Sequence, residues 1–282
     1  MRIDSHQHFW NYSQTEYPWI QNGSALHRDY GPSDLQQVLE PLGFDGSIAV
    51  QARQSPNENL FLSRLAEEFD FIKGIVGWID LRSPNVDAQA RSFSRLPKAV
   101  GVRHVVQDEL DPDFMAGAEF RRGIGALEQH GLVYDILIYA HQLPDAIRLV
   151  RDLPEQTFVL DHIAKPAIRK GELATWKKDL AAISNLSNVS IKLSGVLTEA
   201  DHRSWSVEQL SPYWESVCEL FSPSRILYGS DWPVMRLAAE YRAWVDIVSD
   251  WLSSYSASDK ELIWGGNAER IYLQRLSPTN LA

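Results

Sequence analysis

The sequence predicts an α/β fold, a (β/α)8 TIM barrel formed as a single domain over residues 1–282. Three observations carry that expectation. Short β-branched or aliphatic runs alternate with amphipathic segments, which is the pattern of βα units on a parallel sheet. Eight such runs can be counted, in a chain close to the ~250 residues usual for this barrel. Acids and imidazoles recur where the runs end, and strand ends are where barrels of this kind carry their chemistry. A doubly wound sheet is disfavoured, because no Gly-x-Gly-x-x-Gly follows an early strand and no phosphate-cradling loop occurs elsewhere.

Taken in order, the strands are expected at Arg2–His6, Ser47–Gln51, Gly74–Ile79, Gly101–Val105, Val133–Tyr139, Phe158–His162, Ser190–Leu193 and Ile226–Ser230. Helical segments are expected between them, at Pro32–Leu42, Glu58–Glu68, Asp87–Arg95, Asp113–His130, Leu143–Asp152, Gly171–Ile183 and Ser206–Phe221. Pro166 and Pro233 stop the sixth and eighth strands. The aromatic and polar stretch Asn11–Asp29 reads as a first loop folded across the barrel mouth. No linker, low-complexity tract or charge run divides the chain.

Composition narrows the function. With 44% hydrophobic residues the chain can bury a large core. A net charge of −10 argues against a nucleic-acid partner, which needs clustered Lys and Arg. The single cysteine, Cys218, excludes an internal disulfide and a multi-cysteine zinc site. The opening residues lack the basic-then-apolar order of a signal peptide, and no apolar run is long enough to span a bilayer, so no membrane partner and a cytoplasmic location are expected. Ten tryptophans and ten tyrosines suit packing and, at a few positions, stacking on a sugar-like or planar ligand.

The chemistry-bearing residues sit at three strand ends. His6 and His8 are two apart, so on a strand both imidazoles face one way, able to share a metal ion or one substrate oxygen. Ile226-Leu227-Tyr228-Gly229-Ser230-Asp231 delivers a carboxylate, and Phe158-Val159-Leu160-Asp161-His162 delivers an imidazole. In isolation an HxH is more often a hydrogen-bonded strand end, and an acid after a strand can be a helix cap. Three such endings on successive runs shift the balance toward a site. Lys165 and Lys192 are read as structural partners of nearby carboxylates, and Gly195 and Gly229 as points of close backbone approach.

These residues resemble the amidohydrolase superfamily, in its branch of sugar and dicarboxylate lactonases, which includes L-fuconolactonases and L-rhamnonolactonases. The resemblance rests on Ile3-Asp4-Ser5-His6-Gln7-His8-Phe9-Trp10, Gly101-Val102-Arg103-His104, Leu160-Asp161-His162-Ile163-Ala164-Lys165-Pro166, Ile191-Lys192-Leu193-Ser194-Gly195, Tyr228-Gly229-Ser230-Asp231-Trp232-Pro233 and Gly266-Asn267-Ala268-Glu269-Arg270. It implies hydrolysis of an aldonolactone, L-fucono-lactone or a close relative, as in L-fucose or L-rhamnose degradation. Asp231 would be the general base, with His6, His8 and His162 polarising the lactone carbonyl. A carboxylate of ordinary pKa near 4 is ionised at pH 7 and can accept a water proton without tuning.

Metal use departs from the two-metal members the sequence resembles. Their fourth strand supplies a bridging Lys or Glu, whereas this one ends Val102-Arg103-His104, and the fifth brings its histidine, His141, only late. A two-metal centre is therefore not expected. A single divalent ion, zinc foremost, on His6, His8 and Asp231, with His141 or His162 beside them, fits three ligands plus a water, without being obligatory for an electrophilic ester carbonyl. Substrate contacts are expected from Gln51, Arg53, Trp78, Arg103, His104, Gln107, Tyr134 or Tyr139, and Trp232. This polar, aromatic mixture suits hydroxyls and a ring face better than a dicarboxylate, which asks for several bidentate arginines. Two alternatives stand beside this reading: a mononuclear metal-dependent amidohydrolase or decarboxylase, and a non-catalytic sugar-binding protein. Monomer and homo-oligomer both remain open.

Overall fold

The computed structural model describes residues 1–274. Eight strands run parallel in sequence order: β1 (Ile3–Gln7), β2 (Gly46–Val50), β3 (Ile72–Gly77), β4 (Ala99–Val105), β5 (Val133–Leu137), β6 (Phe158–Leu160), β7 (Val189–Leu193) and β8 (Ile226–Tyr228). Helices α1 (Pro32–Leu39), α2 (Pro56–Glu68), α3 (Val86–Ser94), α4 (Ala118–Glu128), α5 (Leu143–Asp152), α6 (Ala174–Ser184), α7 (Val207–Leu220) and α8 (Tyr241–Trp251) follow the strands in turn. This is the expected (β/α)8 barrel. Its strands are buried on both faces, as a parallel sheet wrapped by helices requires.

Two apolar layers hold it. The outer one, between sheet and helices, includes Ile75, Val102, Ile136, Leu160, Ile191 and Tyr228. The inner one fills the barrel floor with Ile3, Ile48, Val76, Val100, Val133, Val159 and Leu227. After a short helix, α9 (Ala257–Glu261), the chain winds beneath the barrel and adds Ala268, Ile271 and Tyr272 to that floor. Asn267 anchors the plug by donating to the carbonyls of Pro223 (2.7 Å) and Ile226 (2.8 Å).

The barrel closes at its carboxyl end. Asp231 N donates to His6 O at 2.8 Å, and His8 N to Trp232 O at 2.7 Å. Below them the Asp4 carboxylate accepts from Ser230 N (2.9 Å), Ser230 Oγ (2.5 Å) and Tyr241 OH (3.0 Å). Burial pushes the Asp4 pKa up to about 6 against these donors. Closing the seam thus fixes His6, His8 and Asp231 relative to one another.

Local chemistry shifts several expected boundaries. The helix expected over Asp113–His130 breaks at Gly117, whose ψ of 129° is extended, and resumes at Ala118. The one expected to run to Leu42 ends at Leu39, giving way to a tight turn over Glu40–Leu42. The sixth strand stops at Leu160, because His162, Ile163, Ala164 and Lys165 all take left-handed conformations, with φ between 45° and 60°. The loop between β1 and α1 packs as expected over the mouth, where Trp10 meets Tyr17 and Tyr30 edge-on or tilted, at ring centroid distances of 6.0 and 5.4 Å.

Candidate active site

A cavity of about 400 Å³ opens at the carboxyl end of the barrel, lined among others by His8, Arg103, His162 and Asp231. His6 lies behind them, fully buried. An extra residue in β1 produces this placement. Asp4 pairs with Ser47 and Gln7 with Ala49, so three steps on β1 oppose two on β2. The bulge shifts the side-chain alternation, letting Ile3 fill the floor while His6 enters the site.

The four residues converge. His8 Nε2 is 3.2 Å from both His6 Nε2 and Asp231 Oδ1. Asp231 Oδ1 lies 3.8 Å from His6 Nε2 and 4.0 Å from His162 Nε2. The Asp231 backbone is left-handed (φ 61°), a costly conformation for a non-glycine residue, and it turns the carboxylate toward the histidines. No backbone N–H is capped by that carboxylate among the described residues, so it does not serve as a helix cap.

Hydrogen bonds assign the tautomers. His8 Nδ1 faces the Val50 carbonyl at 2.8 Å, which requires a proton on Nδ1. Arg103 Nη1 donates to His6 Nε2 at 3.2 Å, which leaves the His6 proton on Nδ1, beside Asp161 Oδ1 at 3.3 Å. His6 therefore presents a lone pair to the site, and a neutral His8 does the same. As neutral rings neither can donate to a substrate oxygen, which limits the carbonyl-polarising role expected from the sequence. His162 differs. Its Nδ1 is 2.9 Å from Ser194 Oγ, and when that hydroxyl donates, Nε2 carries a proton toward the cavity.

Beneath the histidines lies a buried charge network. Lys192 Nζ bridges Asp135 Oδ2 (2.5 Å) and Asp161 Oδ1 (3.1 Å), and Arg103 reaches Asp161 Oδ2 at 3.2 Å and the Gln51 carbonyl. Tyr272 OH closes the chain on Asp135 at 2.7 Å. Burial opposes ionisation of Asp161, but Lys192, His6 and Arg103 overcome it and hold its pKa well below the carboxylate range. Burial pushes Asp135 up to about 6, against Lys192. Desolvation drives the His6 and His162 pKa values well below that of free imidazole. Asp231 is held below its ordinary value because His162, His8 and Lys165 outweigh its burial.

The expected substrate contacts divide. Arg53, Arg103 and Gln107 line the cavity. Gln51 lies beneath it, fully buried, with Nε2 on the Arg103 carbonyl. Tyr134 faces outward, because alternation along β5 points Val133, Asp135 and Leu137 inward, and its ring meets Phe120 and Phe158. The same alternation sends His104 outward from its neighbour Arg103, where it pairs with Glu109 at 2.6 Å and stacks on Phe114. Trp78 follows His104, with Nε1 3.3 Å from its Nδ1. Trp232 is buried against Phe9 and Tyr30. Tyr139 stacks on His141 and its ring centroid lies 5.6 Å from the Nζ of Lys165, while His141 lines a separate cavity.

Sequence reasoning missed Asp161, Trp19, Gln54 and Lys165 as parts of the site. Trp19, on the first loop, is half-exposed and lines the cavity, as do Gln54 and Lys165. Asp161 had a readable signal, since it follows inward-facing Val159 by two positions.

The donor set fits a metal. His6 Nε2, His8 Nε2 and Asp231 Oδ1 lie within 4.8 Å of one another. Two inward lone pairs and a carboxylate so close call for one shared positive charge, either a proton on His8 or a cation, and three such ligands with an open position suit zinc.

The chain matches the family described as amidohydrolase over residues 3–273. It is 39% identical to an L-fucono-1,5-lactonase of Burkholderia multivorans, covering 96% of each protein, and 34% identical to an L-fucono-1,5-lactonase of Burkholderia ambifaria, covering 96% and 95%. A crystal structure of a Burkholderia multivorans amidohydrolase with bound zinc superposes with a TM-score of 0.93 at 39% identity, covering 97% of this chain and 99% of that one. On the match of its sequence from the first strand to the floor plug, the chain belongs to the amidohydrolase family.

Proposed function

We propose that this protein hydrolyses a sugar-acid lactone to the open aldonic acid, with L-fucono-1,5-lactone the first substrate to test. One observation carries the reading: an ionised, buried carboxylate, Asp231, stands on the cavity wall beside imidazole and guanidinium groups, in a chain alike over its length to two lactonases. Water attacks the lactone carbonyl carbon while Asp231 accepts its proton. The carbonyl π pair moves to oxygen, and the oxyanion is stabilised by donors facing the cavity, His162 Nε2–H and the Arg103 guanidinium. The carbonyl re-forms, the ring C–O bond breaks, and Asp231 returns the proton to the leaving alkoxide. A proton on His8 Nε2 would donate to Asp231 Oδ1, 3.2 Å away, and orient it.

A divalent cation held by His6, His8 and Asp231 would supply Lewis-acid polarisation and a more acidic water. We read it as not obligatory, because β4 carries Arg103-His104 near its carboxyl end where a two-metal site needs Lys or Glu. An indicator assay with L-fucono-, L-galactono-, L-rhamnono- and D-arabinono-lactones, before and after prolonged chelation, tests both parts. The expected result is acid release above background, fastest on L-fucono-1,5-lactone, with most activity surviving chelation. Background rates on all four would refute the lactonase reading. Loss on chelation with recovery in stoichiometric zinc would make the metal essential.

A further inference from the structure

The Arg103 nitrogen that reaches Asp161 also sits 3.2 Å from His6 Nε2. A guanidinium only donates, so the imidazole nitrogen accepts. That lone pair is the one His6 would offer a cation shared with His8 and Asp231. One lone pair cannot serve both. Arg103 is no wandering surface chain: it is 3% exposed, and its two terminal nitrogens are held by the Asp161 carboxylate and the Gln51 carbonyl. Its charge acts in the same direction, since a fixed positive charge a few ångströms from a dication is strongly repelled where water is sparse. Asp161 offers little compensation, being already shared between Arg103 and Lys192.

We propose that Arg103 and a divalent cation compete for the Nε2 lone pair of His6, so that Arg103 holds down the metal affinity of the His6–His8–Asp231 cluster. Metal entry requires the guanidinium to leave His6. The barrel thereby keeps a permanent cation of its own at the place where a metal would bind. This inference concerns metal affinity and stands apart from the identity of the substrate.

Calorimetric titration of the metal-stripped full chain with zinc chloride tests it without any turnover assay. Arg103→Gln removes the charge and the donor to His6, and should bind one zinc per chain at least about tenfold more tightly than wild type. Arg103→Lys keeps a charge beside Asp161 and so guards against misfolding, but one ammonium cannot span Asp161, Gln51 and His6. Its zinc affinity should rise above wild type, by less than that of Arg103→Gln. Cobalt(II) absorption gives a second readout, with its visible band expected at lower metal concentration in both variants. Zinc affinity no greater than wild type in the folded variants would overturn the proposal. So would a zinc-bound wild-type structure with Arg103 still hydrogen-bonded to His6 Nε2.

Discussion

Asp231 is ionised because cations and imidazoles outweigh its burial, and that has a sign in pH. A base whose pKa is depressed is active above that pKa and is lost as pH falls through it. Burial drives the His6 and His162 pKa values well below that of free imidazole, so neither titrates near 6.5. The acid limb of kcat/KM for lactone hydrolysis should therefore lie below pH ~4, the ordinary carboxylate value. A limb centred near 6.5 would transfer the base role to a histidine. At this scale the sequence was most legible where motif and strand end coincide, as at His6, His8, His162 and Asp231. It was least legible for facing: the two neighbours Arg103 and His104 point to opposite sides of β4, so only one reaches the cavity.

The element that departs furthest from regular geometry is the turn after β6. Four successive non-glycine residues, His162 to Lys165, are left-handed, at a cost of about 1–2 kcal/mol each. The turn is held by Trp176 Nε1, which donates to Ile163 O at 2.8 Å, and it leaves His162 and Lys165 at the cavity. No local sequence signal announces it, because left-handed runs normally advertise themselves through glycine or asparagine. Its neighbour Gly195 is legible: at φ 64°, a Cβ there would meet the His162 ring at 2.6 Å. Gly195→Ala should cost at least about 1 kcal/mol in urea unfolding and displace His162, lowering lactone turnover. Unchanged stability and turnover would show that this contact does not set the imidazole's position.

Across the whole molecule, barrel closure gathers residues from β1, β4, β6 and β8 that are up to 225 positions apart, from His6 to Asp231. The alternation of eight strands made the barrel readable, yet the turn of His6 into the site depends on a one-residue bulge of β1 against β2 that is invisible to periodicity. The charge network inside was legible only in outline, as a lysine needing carboxylate partners. Its members, Arg103 on β4, Asp135 on β5, Asp161 just after β6 and Lys192 on β7, balance two negative charges with two positive ones. Lys192→Met should destabilise the barrel by about 3–5 kcal/mol, because it strands Asp135 and Asp161 without their shared partner. A loss under about 1 kcal/mol, read from denaturant midpoints, would mean that these acids are neutral in the folded chain. The most direct test of the account is a steady-state lactone assay of Asp231→Asn, beside His130→Ala as a control on the surface, where His130 pairs with Asp87 at 2.8 Å. With both variants folded by circular dichroism, Asp231→Asn should lose at least about a hundredfold in kcat with a smaller change in KM, and His130→Ala should match wild type. Retention of activity in Asp231→Asn within about threefold of wild type would contradict the assignment of Asp231 as the base.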